Sequence, residues 1–320
     1  MMTATQGEDS RSSAVESGLP AGVLARLAAL PMLATVGWHA EPLTGGLTNV
    51  NAKLVTDRGR YVARLSSETG SLLAIDRDAE VYASRAAAAT GVAPPVVAHD
   101  PDAGVLVIEW VEGRTFTEDD VRDGAQLPRI AAVLRRLHSG APLLTDFDMF
   151  AIQRRYLALV HERGFRLPER YAEFEPVVRR IEAALAVRPQ PLVPCHNDLL
   201  AANLIDDGER IWVIDYEYAG NNDPYFELGN LWSESNLAPQ QLEELVAHYR
   251  GRQSASLVAR ARLWGLMSKY GWTLWASIQD GVSTLDFDFW SWGMEKYHRA
   301  VQEFDGPDLS RWLELVQDDD

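Results

Sequence analysis

Several things are scarce in this sequence. One cysteine, Cys195, stands among 320 residues, so no disulfide within the chain and no cysteine-based zinc cluster can form. Lysine and arginine number 30 against 46 acidic residues, a formal charge of −16. That balance argues against a nucleic-acid partner, whose phosphates need basic surface. It suits solubility and adds long-range attraction for a cationic ligand. No run of about 18 apolar residues occurs, so no membrane span is expected. The first 18 residues lack the basic start of a signal peptide and read as a disordered tail. The chain is therefore expected in the cytoplasm. No internal repeat is visible, and nothing in the sequence reports the oligomeric state.

What is present is a hydrophobic content of 47%, enough for a large core and two lobes. The apolar run after the tail is interrupted by Arg26 and Pro31 and reads as a short surface helix. Residues 42–67 read as strand, glycine-rich turn, strand, turn, strand, with Tyr61, Ala63 and Leu65 alternating against Val62, Arg64 and Ser66. Residues 71–91 are alanine-rich with helical spacing and stop at Gly91. Residues 93–113 read as strand, turn, strand, and 112–116 as a connector. Beyond it, helical periodicity runs over 127–139, 150–164 and 171–187, and again from Pro239 onward. The expected fold class is α+β: a small β-rich lobe over 19–112 and a larger, mainly helical lobe over 113–320.

Between those helical stretches lies the densest chemistry. In CHNDLLAANLIDDGERIWVIDYEYAGNNDPYFELGN, residues 195–230, two short apolar strands are joined by DGER. His196-Asn197-Asp198 precedes a loop, Asn203 follows Asp198 by five and begins the first strand, and Asp215 ends the second. A hairpin brings the open ends of its strands together. One carboxylate able to act as a base then sits beside an amide and a carboxylate oxygen, both ligands for a hard cation such as Mg²⁺. Phosphoryl transfer requires that set. Loop caps and turns use the same residue types, so Asn203 or Asp215 alone would carry no such conclusion. Cys195 beside His196 could suggest a nucleophile pair. Neighbours on extended backbone point to opposite sides, however, and a small buried thiol is the better reading.

The pattern HND, four residues, then Asn, followed by IDYEYAGNNDP and ELGNLWSE, resembles the choline/ethanolamine kinase family, within the larger group that contains aminoglycoside phosphotransferases. The likeness runs from about residue 43 to 304. It implies a protein-kinase-like bilobal fold with ATP and Mg²⁺ as cofactors and a small-molecule amino alcohol as partner. By that resemblance Asp198 is the catalytic base, Asn203 and Asp215 hold Mg²⁺, and His196 is a scaffold bonding near the Asp215 backbone. On the nucleotide side, LTGGLTNVNAKL resembles the phosphate-covering loop, implicating Gly45, Gly46, Thr48 and Asn49. Arg64 would take phosphate oxygens with Glu80 holding it in place. A solvated Glu80 near Arg77 or Arg85 is the ordinary alternative. The backbone from Glu109 to Val111 would meet the adenine.

On the acceptor side, tryptophans cluster near the C-terminal end. Trp272 and Trp275 are three apart and share a helix face. A quaternary ammonium cannot donate an N–H, so it is held by aromatic faces and nearby carboxylates. The resemblance makes Trp272, Trp275 and Trp292 cage residues, with Tyr218, Glu234 and Phe287 as the other wall. The family often carries Tyr where Trp292 stands, which leaves room for a different amino alcohol. The expected function is phosphorylation of the hydroxyl of choline or ethanolamine. The alternatives are the same chemistry on an aminoglycoside, thiamine or other hydroxylated molecule, and a non-catalytic choline-binding pseudokinase.

Overall fold

The computed structural model describes residues 18–66, 70, 72, 73 and 75–319. The tail expected over residues 1–18 lies, except for its last residue, outside them. The chain forms two compact units. The first holds the described residues up to 66 and Val97–Trp110; the second holds the rest.

The first unit is a five-stranded antiparallel sheet. Strands β1 (Trp38–Leu43), β2 (Val50–Thr56), β3 (Gly59–Leu65), β4 (Val96–Asp100) and β5 (Val105–Glu109) lie in the order β1-β2-β3-β5-β4. The β2–β3 turn is two residues, with Thr56 opposite Gly59, which fixes the register through the hairpin. The expected alternation holds: Ala63 and Leu65 are buried and pack with Ala52, Leu54, Val105 and Val107. Helix α1 (Ala21–Ala28) covers that core with Val23 and Leu27. Its Arg26 donates to the carbonyls of Ala103 (2.6 Å) and Gly104 (2.8 Å), tying the helix to the β4–β5 turn.

Helix α2 (Arg77–Ala89) belongs to the second unit. It begins later than its periodicity suggests. The Asp76 side chain accepts from the amides of Asp78 and Ala79, and this cap sets the first turn. Leu72 and Ile75 lie before it. The 112–116 connector contains a strand, β6 (Arg114–Thr115). A Cβ on Gly113 would sit 2.7 Å from the Asp206 carbonyl, so only glycine lets the chain enter that strand.

The helices α3 (Glu118–Arg122), α4 (Leu127–His138), α5 (Met149–Arg163) and α6 (Glu175–Val187) follow. Then come β7 (Val193–Cys195), β8 (Leu204–Asp206), β9 (Ile211–Val213) and β10 (Gly220–Asn222). β7 pairs with β10, and β8 is flanked by β6 and β9. The unit ends with α7 (Pro224–Glu234), α8 (Pro239–Arg250), α9 (Ala255–Val282), α10 (Phe289–Phe304) and α11 (Leu309–Leu315). Helices α7 and α9 meet through glycine. A Cβ on Gly265 would lie 2.6 Å from the Trp232 ring and 2.7 Å from the Gly229 carbonyl. That close crossing lets α7 side chains reach the loop after β7. No helix among the described residues is long and apolar enough to cross a membrane.

Candidate active site

The loop between β7 and β8 carries the HND motif, and its geometry follows from four polar anchors. Asn197 is left-handed, φ 67°, a conformation that Asn tolerates better than most residues. Its side-chain amide donates to the carbonyls of Tyr218 (3.1 Å) and Gly220 (3.2 Å), and its oxygen accepts from Asn222 (2.9 Å). The His196 Nε2 lies 2.8 Å from the Ile214 carbonyl. A carbonyl can only accept, so Nε2 carries the proton, and Nδ1 is free to accept the Asp198 N–H at 3.3 Å. His196 is therefore the scaffold expected of it, one residue from Asp215.

The other two anchors come from α7, and neither was identified from the sequence. Glu227, fully buried, accepts the N–H of His196 (2.6 Å) and of Asn197 (3.2 Å). Burial alone would raise this carboxyl. The hydrogen bond and charge of His138, with the His196 N–H, outweigh it and hold the group below its ordinary range. Three residues on, Asn230 accepts the Leu199 N–H and donates to Ser268 Oγ (2.9 Å). The spacing of three places both residues on one helix face.

Asn203 donates to the Asp198 carbonyl at 2.9 Å, and its own carbonyl accepts from Ile214. Leu204 lies opposite Val213 in the β8–β9 hairpin. Asn203 and Asp215 thus sit at the hairpin's open end, as the spacing implied. Asp215 is left-handed, φ 74°. The Asp198 carboxyl is held well above the usual carboxylate range, first by burial, then by the charges of Asp215, Glu234 and Glu217, with Lys296 opposing. A concentration of carboxylates around one base suits a site built to take a cation.

Cys195 is buried, and burial followed by the charges of Glu227 and Asp223 pushes its thiol well up. A thiolate is disfavoured there, so the residue is no nucleophile. Its histidine neighbour is His138 (3.6 Å) rather than the adjacent His196. His138 in turn contacts Tyr249 Oη at 2.8 Å. The His138, Cys195 and Glu227 ligand atoms lie within 4.8 Å of one another, but Glu227 is already engaged with the loop amides.

The residues expected to wall the acceptor lie on α7, α9 and α10, on the segment before β10 and, for Phe287, on the segment before α10. The Tyr218 hydroxyl accepts from Trp275 Nε1 at 2.9 Å, and its ring meets Trp272 edge-on at 4.9 Å. Trp275 meets Trp292 at 5.5 Å and Phe289 at 5.8 Å. Phe287 is 40% exposed and reaches this group through Phe289. Glu234 is buried and paired with Lys296 at 2.5 Å, whose Nζ also lies 4.1 Å from the centre of the Trp292 ring. Lys296 was missed; its helical spacing of four from Trp292 was the available signal. Glu234, Trp292 and Lys296 line a cleft of about 300 Å³ together with Leu200 and Ala201 from the loop.

On the nucleotide side, Gly45 has φ 102°, a conformation that favours glycine. A Cβ on Gly46 would lie 2.8 Å from the Asn49 carbonyl. Asn49 Nδ2 donates to Thr48 Oγ1 at 3.1 Å. Arg64 lies opposite Leu106 and Asn51 in the sheet, and Glu109 closes β5 opposite Tyr61. Val111 and Glu80 belong to the second unit. Glu80 is buried and takes Arg77 at 2.7 Å, and Arg77 also reaches Glu217 at 3.4 Å.

The phosphotransferase enzyme family matches residues 39–264. A crystal structure of a choline/ethanolamine kinase family protein from Mesorhizobium loti is 33% identical, with TM-score 0.80, covering 92% of this chain and 98% of that one. Mouse ethanolamine kinase 2 is 27% identical over 272 residues, 76% of this chain and 69% of its own. LicA of Haemophilus influenzae is 26% identical over 217 residues, 66% of this chain; the chain spans 63% of LicA's length. With the matched region covering both the glycine-rich loop and the HND hairpin, the chain belongs to the phosphotransferase enzyme family and, within it, to the choline/ethanolamine kinases.

Proposed function

We propose that the protein is an ATP- and Mg²⁺-dependent kinase that phosphorylates the hydroxyl of an amino alcohol, choline or ethanolamine. The observation that carries the reading is the placement of Asp198. Its carboxyl is raised by burial and by neighbouring carboxylates, and it stands on a loop that also lines the cleft with Glu234 and Trp292. The donor chemistry fits the metal. Asn203 spends its NH₂ on the Asp198 carbonyl, which leaves an amide oxygen, and Asp215 offers a carboxylate. Both are hard oxygen donors of the kind Mg²⁺ takes. Bound Mg²⁺ would supply charge neutralisation on the nucleotide phosphates.

The chain's own residues then divide the work. Asp198 accepts the hydroxyl proton as the hydroxyl oxygen attacks, and no covalent enzyme intermediate forms. Glu227, Asn230 and Asn197 hold the loop so that Asp198 needs no reorganisation at the moment of transfer. Gly45, Gly46, Thr48 and Asn49 cover the phosphates with backbone and short polar groups. Arg64 takes phosphate oxygens, and the backbone of Glu109 and Val111 meets the adenine. Tyr218, Trp272, Trp275, Trp292 and Phe287 wall the acceptor.

The test is consumption of ATP with Mg²⁺ across ethanolamine, choline, thiamine and a set of aminoglycosides. Turnover on an amino alcohol that disappears in Asp215→Ala and weakens in Asn203→Ala is expected. Turnover only on another acceptor would move the substrate class. Turnover on none, with choline bound, would make the chain a pseudokinase.

A further inference from the structure

The aromatic face that a substrate cation would be expected to use is already in use. Lys296 is buried, 5% exposed, one helical turn after Trp292. Its ammonium lies 4.1 Å from the centre of the Trp292 ring and 2.5 Å from Glu234 Oε2. The other oxygen of the same carboxylate, Glu234 Oε1, is buried and has no hydrogen-bond partner among the described residues. Both groups line a cleft together with Leu200 and Ala201 of the loop that carries Asp198.

Charge and hydrogen-bond capacity then discriminate between amino alcohols. An unpartnered buried carboxylate oxygen is costly, and an N–H donor removes the cost. A primary ammonium carries such donors. A trimethylammonium carries none; it binds through aromatic faces, and here one of them holds Lys296. We infer that Lys296 is a specificity-determining residue that biases the acceptor site toward a primary ammonium and against a quaternary one. The inference rests on the amino-alcohol reading above. A second cation is tolerated beside Lys296 because the groups facing Asp198 are mainly carboxylates: Asp215, Glu217 and Glu234. Glu234 then works as a bridge, with one oxygen for the internal ammonium and one for the substrate's.

The experiment is steady-state kinetics of the full chain with MgATP on ethanolamine, N-methylethanolamine, N,N-dimethylethanolamine and choline. In the wild type kcat/KM should fall along the series. The steepest step, about tenfold or more, should come where the last N–H is lost, the size of one hydrogen bond to a charged group. Lys296→Met frees the Trp292 face and should lower KM for choline several-fold relative to ethanolamine, with the change in KM rather than kcat. Lys296→Arg should keep the wild-type preference. Choline used as well as ethanolamine by the wild type would overturn the inference while leaving the amino-alcohol reading standing. So would equal losses on all four acceptors in Lys296→Met. Turnover confined to acceptors outside the series would overturn that reading, and the inference with it. Should Lys296→Met not fold, Lys296→Gln takes its place with the same expected shift toward choline, and a Gln variant with the wild-type ratio would overturn the inference.

Discussion

The loop at 196–199 and the wall formed by Glu234, Trp272 and Trp292 belong to one unit, and they treat polar atoms in opposite ways. In the loop the amides of His196, Asn197, Asp198 and Leu199 each have a side-chain acceptor. In the wall Glu234 Oε1 and Trp272 Nε1 are buried with no partner among the described residues. A folded protein satisfies nearly all its buried polar atoms, so groups left open beside a cleft mark where something else completes them. The loop is complete within the chain; the wall keeps these two polar atoms open. The contrast follows from the chemistry. The transfer step needs a fixed base, whereas acceptor choice needs free donors and acceptors.

The largest expected effect is that of Asp198→Asn. If the loop exists to present that carboxylate, turnover should fall by about 10²–10⁴-fold, the usual worth of a general base. Melting temperature should hardly change, as measured by calorimetry beside initial rates. A fall of less than tenfold would remove Asp198 from proton transfer.

Next comes the anchor itself. Glu227→Ala strips two loop amides and His138 of their buried acceptor, so stability should drop by about 3 kcal/mol. Turnover should fall too, because Asp198 loses its fixed position. Urea unfolding checks the first part and kinetics the second. Lost stability with full activity would mean that the loop needs no anchor.

A smaller effect probes the wall. Trp275→Phe keeps a ring but removes the N–H that Tyr218 accepts. The loss should be about 1 kcal/mol, near fivefold in acceptor KM, with KM for the nucleotide unchanged. An unchanged acceptor KM would confine Trp275 to the core.

The smallest expected effect is a control on buried ammonium groups. Lys269 lies on α9, packed over Trp232 at 3.9 Å and paired with Glu303 at 2.7 Å. Burial pushes its pKa down to about 8 in spite of Glu303. Between about pH 8 and its ordinary value the unfolded chain keeps a proton that the folded chain has shed. The Lys269 contribution to stability therefore rises with pH in that window and is lowest below it. Lys269→Met should flatten the rise in melting temperature above pH 8 while leaving the preference among amino alcohols as in the wild type. A changed preference would show that any buried lysine, not Lys296 alone, tunes the acceptor.

What could be read in advance follows a physical division. The β2–β3 hairpin and the β8–β9 hairpin were legible because alternation, turn residues and short spacing act between neighbours in the chain. Asn203 and Asp215 meet through such a hairpin. Helix α7 was not legible. All eleven of its residues are buried, so its polar residues Glu227, Asn230 and Glu234 face the interior and mark no solvent side. With it went Glu227 and Asn230, whose roles depend on the close crossing at Gly229 and Gly265. The early start expected for α2 failed because apolar spacing continued past the Asp76 cap.

The β-rich and helical segments, the HND hairpin and the chemistry its spacing allows follow from the order of residues alone, because they depend on residues a few positions apart. The tertiary structure alone decided which buried groups meet. Glu234 and Lys296 are 62 residues apart, and His196 and Glu227 are 31 apart. Such pairs are set by how helices cross and how deeply each is covered. No local pattern encodes that, because the burial that makes them matter exists only once α7, α9 and α10 have packed.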